Sequence, residues 1–233
     1  MENVHAERSA GWSAICYVAV LLLASLLTSP MPPVSTPPTD LSILVDAHRQ
    51  VILWAAWLTF PASAFFLWFL VGLRGYLRCA PGRQEGLPAF ATLAGVVMVT
   101  QSLLSASLET AVGYASPDVF QANGFAALFG AFQFLQGGLG YAPVAIFLFA
   151  AAHSMRRHES APQWLAWLGY LAALGCGIAT LSIFYSSSFM APNGIGPSVF
   201  GALPSAVWLI ATGVVLVRTK GRSGEVPAGA PAP

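Results

Sequence analysis

Six apolar runs, each long enough to cross a bilayer, divide this chain and leave little of it for anything else. A hydrocarbon core about 30 Å thick takes roughly 20 residues of helix, and runs of that length cover about 11–29, 50–72, 88–113, 133–153, 163–185 and 199–217. Of the 233 residues, 56% are hydrophobic and 8% charged, against roughly 25% charged in soluble domains. The expected fold is all-α: a polytopic membrane bundle of six transmembrane helices, with the lipid bilayer as its medium. A net charge of +1 supplies no basic field for nucleic acid. Cys16, Cys79 and Cys176 have no second Cys or His at ligand spacing, so neither a disulfide framework nor a zinc site is expected.

The cations orient the bundle. Arg8 precedes the first run, Arg74, Arg78 and Arg83 lie between the second and third, Arg156 and Arg157 between the fourth and fifth, and Arg218, Lys220 and Arg222 follow the sixth. Nine of ten cations thus share one side, Arg49 being the exception, and the positive-inside rule places both termini in the cytoplasm. The flank of the first run has two glutamates against one arginine, and no small-x-small cleavage site follows it. A retained helix is expected there in place of a secretory signal.

Between the runs, five prolines from Pro30 to Pro38 favour an extended strap, and residues 219–233, rich in Gly, Pro and Ala, read as a disordered cytoplasmic tail behind a membrane domain of 1–218. The stretch from Pro117 to Ala152 is longer than one crossing requires. Its first part, DVFQANGFAALFGAF, is expected as a short extra outer helix before the fourth span, with one long tilted helix as the alternative. Pro61, Pro143 and Pro204 stand 13, 13 and 14 residues before Arg74, Arg156 and Arg218, which suggests three related helical hairpins.

In lipid, helices associate through close backbone approach and interhelical hydrogen bonds. Small residues therefore mark the inward faces: Ala126, Gly130, Gly137 and Gly140 with Gln133 in the fourth segment, and Gly169, Ala173, Cys176 and Thr180 in the fifth. Large apolar residues such as Phe147 and Phe149 are expected to meet lipid. Ser102, Ser105, Glu109 and Gly113 share one face of the third helix, with Gln101 beside them. Glu109 then points into the bundle close to its outer end, where a carboxylate is tolerable if paired. The expected partner is Arg49, directly or through His48, with Ser105 donating a further hydrogen bond.

The outer side also holds Asp40, Asp46, Asp118, Gln121 and Asn123. Asp46, His48 and Glu109 offer ligand-type side chains, but Asp46-x-His48 lacks the spacing of a helical metal pair. Asp46 is read as the cap of the second helix, and no metal is expected. His48 alone among the histidines is near the outer face, which leaves haem without matched axial ligands, and no hydrolase or nucleotide-loop motif is present. No cofactor, no catalytic residue and no enzymatic activity are expected.

After the basic HSMRRHES come APQWLAWLGYLAALGCGIATL and the closing ALPSAVWLIATGVVLVR. These resemble the last two helices of bacterial six-helix membrane proteins grouped as domain of unknown function 4386, through Pro162, Trp164, Trp167 and Gly169. The resemblance implies the same fold and a bacterial plasma (inner) membrane, and brings no reaction with it. The expected role is a non-catalytic part in bilayer assembly or interaction, with a second copy or another membrane protein as partner. The alternative is a carrier or channel-like protein for a small solute or ion, using a polar face around Glu109 with Arg49, His48, Gln101 and Gln133 as further candidate binding residues.

Overall fold

The computed structural model describes residues 2–28, 32, 36–78, 86–114, 122–157, 161–185 and 188–218. Among them there is no strand. Six stretches are long and apolar enough to cross a membrane: Arg8–Leu27, Asp40–Arg78, Gly86–Tyr114, Gly124–Arg157, Gln163–Phe184 and Ile195–Arg218, here spans 1 to 6. This is the architecture of a multipass membrane protein. Most of the proline-rich strap, Asp118 and Gln121, and the tail from 219 lie outside the described residues. The end of the bundle bearing Arg8, Arg74, Arg156 and Arg218 is its proximal end, and the opposite one its distal end.

The helices are α1 (Glu2–Thr28), α2 (Pro38–Arg78), α3 (Gly86–Tyr114), α4 (Ala122–Gln133), α5 (Tyr141–Arg157), α6 (Gln163–Ala179), the single turn α7 (Ile195–Pro197) and α8 (Leu203–Arg218). The second helix starts twelve residues earlier than its apolar run, at Pro38, because proline in a first turn gives up an N–H that has no intrahelical partner anyway. Asp40 occupies that first turn, where its charge suits the helix dipole. Asp46 is two turns inside α2 and exposed, so it does not cap the helix as the sequence suggested.

Consecutive spans pack side by side, and span 6 returns to span 1, closing a ring in the order 1-2-3-4-5-6. Glycines permit the close approaches. A Cβ added to Gly11 would fall 2.6 Å from the carbonyl oxygen of Gly213, and one on Gly213 2.7 Å from that of Gly11, so spans 1 and 6 touch backbone to backbone in the proximal half. Between spans 5 and 6, Pro204 leaves the carbonyl of Phe200 without its helical donor, and that carbonyl lies against Gly175, where no side chain blocks it.

Two spans are broken distally. In span 4, a π turn at Phe134–Gly138 separates α4 from α5, whose third residue is Pro143; in span 6, a π turn at Ser198–Ala202 precedes α8, whose second residue is Pro204. The apolar side of α4, Phe125, Phe129 and Phe132, packs with Leu41, Val45, Ile52 and Val112 of spans 2 and 3.

In the proximal half a larger core is built around aromatic rings. Tyr17 lies 4.8 Å from Phe66, Phe66 lies 5.5 Å from Phe147, and Phe147 lies 5.9 Å from Trp208 (ring centroids), in the tilted and edge-on geometries that rings prefer. The Trp208 indole fits over Gly169 and donates from Nε1 to the Leu165 carbonyl at 3.1 Å. Phe147 is thus 1% exposed, contrary to the lipid-facing position expected for it, whereas Phe149 is 54% exposed and does face outward.

Closure of the ring is testable at its glycines. Gly213→Leu should lower stability by about 1–3 kcal/mol through overpacking in a detergent melt, while Gly177→Leu, with nothing within 4 Å of its would-be Cβ, should leave the melt within about 0.5 kcal/mol of the parent.

Candidate functional site

Distal to the aromatic rings the bundle holds a cavity of about 500 Å³. Spans 1, 2, 3, 4 and 6 all contribute to its wall. Its inner end is formed by Tyr17, Met98, Val144 and Leu209, roughly midway along their spans, and exposed Ser25 and Ser198 belong to its distal end. The cavity owes its shape to the two breaks in span 4 and span 6: Leu135 and Gln136 come from one π turn, Ser198 and Ala202 from the other.

Glu109 lines this cavity while being 5% exposed. No described residue donates to its carboxylate or pairs with it as a cation. Four residues earlier on the same face, Ser105 is also a wall residue, and its buried Oγ has no hydrogen-bond partner. The polar face of the third helix is therefore inward, as its spacing predicted, yet the expected tie is not made. The Arg49 guanidinium lies over the ring of Tyr114, 4.7 Å from its centroid, and His48 is exposed with Nδ1 2.9 Å from the carbonyl of Leu44. The reason is rotation. Tyr114 lies five residues beyond Glu109, about 140° round the helix, so an arginine seated on the outward ring cannot meet the inward carboxylate. Arg49 still joins spans 2 and 3, through a cation–π contact.

The two glutamines separate. Gln101 is in the wall, and its Nε2 donates to the Leu135 carbonyl at 3.0 Å, bridging span 3 to the π turn of span 4. Gln133 lies outside the cavity; its Nε2 donates to the Pro32 carbonyl at 2.9 Å and its buried Oε1 is unpaired. The glycine stripe of span 4 is interior as expected, with Gly137 against the Pro192 backbone and Gly140 in the cavity wall. Asp46 and His48 are exposed and not among the cavity wall residues, and the described residues contain no cluster of three His, Cys, Asp or Glu side chains suited to a metal ion.

Several wall residues carry no sign in the sequence. Tyr17 sits within an unbroken apolar run, and Tyr141, Ser198 and Ser205 become neighbours of Glu109's cavity only because spans 4 and 6 are broken there. Pro143 and Pro204 were the available signal, since proline frees the carbonyl four residues back and bends its helix. No family model, curated protein or solved structure matches this chain.

The changed pairing has a thermodynamic signature. Arg49→Gln and Glu109→Gln should be additive within about 0.5 kcal/mol, as for residues without a shared contact. Arg49→Gln and Tyr114→Leu should instead couple by about 0.5–1 kcal/mol. A double-mutant cycle by thermal or denaturant unfolding in detergent measures both.

Proposed function

We propose that this chain is a carrier-like protein that receives a small solute in the cavity around Glu109, in preference to a purely assembling role. One observation carries the reading: a 95%-buried carboxylate faces a cavity that reaches mid-bundle and has no partner among the described residues. An ionised side chain costs at least about 2.5–3.5 kcal/mol at the bilayer centre and less toward the faces, where Glu109 lies, but it still calls for a partner. A protein selected only for packing would close such a face, because helix association in lipid gains most from continuous contact. Water, a proton or a solute must therefore complete the carboxylate. Discontinuous helices with broken hydrogen bonding around a mid-membrane site are also a recurrent feature of transporters, and spans 4 and 6 have that form. In this reading the proximal arginines are cytoplasmic in a bacterial plasma membrane, the cavity faces outward, α4 is the extra outer helix, and the likeness to the 4386 group lies in the last two spans.

Thiol accessibility tests it. In a chain with Cys16, Cys79 and Cys176 replaced by Ser, Ser105→Cys and Ser198→Cys should react in intact cells with a small polar membrane-impermeant thiol reagent. Ala151→Cys, in the proximal core, should not. Inertness of Ser105→Cys equal to that of Ala151→Cys would contradict an accessible cavity.

A further inference from the structure

The lining of the cavity restricts what can occupy it. Among its described wall residues Glu109 is the one charged side chain, so an anion would meet an uncompensated like charge at low dielectric. Ser105, one turn from Glu109, has a hydroxyl without a partner that can accept from a ligand, and further acceptors follow along the wall. Gln101 gives one of its two amide N–H groups to the Leu135 carbonyl, and its oxygen can still accept. The hydroxyl of Ser102 donates to the Met98 carbonyl at 2.9 Å and so presents a lone pair, whereas that of Ser205 is engaged by the Gly201 carbonyl at 2.7 Å and by Cys176 Sγ at 3.1 Å. A single carboxylate with acceptors beside it in the same wall fits a cation that carries N–H donors.

Size decides which cation. A bare metal ion calls for several oxygen ligands at short range, six to eight in the case of calcium, whereas this wall supplies one carboxylate and a volume of about 500 Å³, within the range of pockets for small organic ligands. Away from Glu109 the wall is apolar and aromatic: Tyr17, Met98, Val144 and Leu209. Leu22 and Leu203, also wall residues from spans 1 and 6, are 54% and 60% exposed, so the apolar surface continues from the cavity to the bundle exterior between those spans. A ligand that satisfies both ends has one positive charge and an apolar body.

We infer that the occupant is a monovalent organic ammonium, its charged nitrogen at Glu109 and Ser105, and its apolar part directed past Gln101 toward Tyr17 and Leu209. This inference rests on the cavity being a binding site, as argued above, and the test separates the two. Three probes share one apolar body and differ in head group: 4-phenylbutylamine, 4-phenylbutan-1-ol and 4-phenylbutanoate. Binding of each to the full chain in nanodiscs is measured by calorimetry or by ligand-dependent thermal shift.

The amine should bind at least about tenfold more tightly than the alcohol, and the carboxylate most weakly. In Glu109→Gln the amine should fall to the level of the alcohol, with the alcohol unchanged. Ala106→Trp, which fills the cavity from its wall, should lose binding of both, and decides the matter should Glu109→Gln fail to fold. Alcohol or carboxylate binding equal to that of the amine, lost in Ala106→Trp, would overturn the ammonium inference and leave the cavity reading standing. A preference for the amine that survives Ala106→Trp or Glu109→Gln would place the amine elsewhere and overturn the inference. Binding of none of the three probes above the Ala106→Trp level would overturn it as well, and with an inert Ser105→Cys would remove the cavity reading too.

Discussion

Four rings from four helices meet at one depth, and the arrangement of everything distal to them depends on that contact. Tyr17, Phe66, Phe147 and Trp208 stand nine, eight, nine and ten residues from Arg8, Arg74, Arg156 and Arg218, which at 1.5 Å per residue sets them roughly 12–15 Å from the proximal end. Lipid tails are as apolar as these rings, so burial from water supplies no drive to bring them together; dispersion and edge-on ring geometry do. That makes close fit essential. Gly169 makes room for the indole of Trp208, and Gly11 with Gly213 lets the first and last spans meet backbone to backbone. The proximal half is consequently a filled core of rings and alanines.

Beyond the rings the same helices cannot pack as tightly. Pro143 and Pro204 each remove a helical hydrogen bond about one turn distal to Phe147 and Trp208, and the chain responds with π turns at Phe134–Gly138 and Ser198–Ala202. Such turns widen a helix and turn its carbonyls outward. The Leu135 carbonyl meets Gln101, and the Phe200 carbonyl rests on Gly175. Backbone polar groups in a bilayer must be satisfied within the protein or by a polar cavity. The breaks therefore place spans 4 and 6 around a cavity that is largely apolar, with Glu109 and a few hydroxyl and amide groups in its wall. A filled floor below and loosened helices above give a cavity extending from mid-bundle toward the distal end.

The sequence made some of this legible and hid the rest for physical reasons. Six spans followed from length and apolarity, and the inward face of Ser102, Ser105, Glu109 and Gly113 followed from helical spacing, because small and polar residues in lipid have reason to turn toward other helices. Phe147 was misread for the complementary reason. A phenylalanine is equally at home against lipid or protein, so hydrophobicity alone does not assign its side. The Arg49–Glu109 pair failed on rotation: the two belong to neighbouring helices near their distal ends, but a sequence without packing does not say that Tyr114 would take the guanidinium. The start of α2 was missed because Pro38 was read as a breaker when it serves as a first-turn residue. Tyr17 was invisible in a run that is apolar throughout. Its role depends on span 1 closing the ring against span 6, which no local pattern in the first 30 residues announces.

Water inside the distal half is the feature on which everything else depends, since a carboxylate and a Ser105 hydroxyl without partners among the described residues require a polar medium, whereas apolar cavities stay dry. Hydroxyl-radical footprinting of the protein in native membranes reads it directly, because side chains beside internal water are oxidised far faster than those packed away from it. Met98 and Met155 are chemically equivalent and both buried, at 6% and 0% exposure, but only Met98 lines the cavity. The account predicts that Met98 is oxidised about tenfold or more faster than Met155, a ratio equivalent to roughly 1.4 kcal/mol in access. Equal protection of the two methionines would mean a dry, closed bundle and would contradict it.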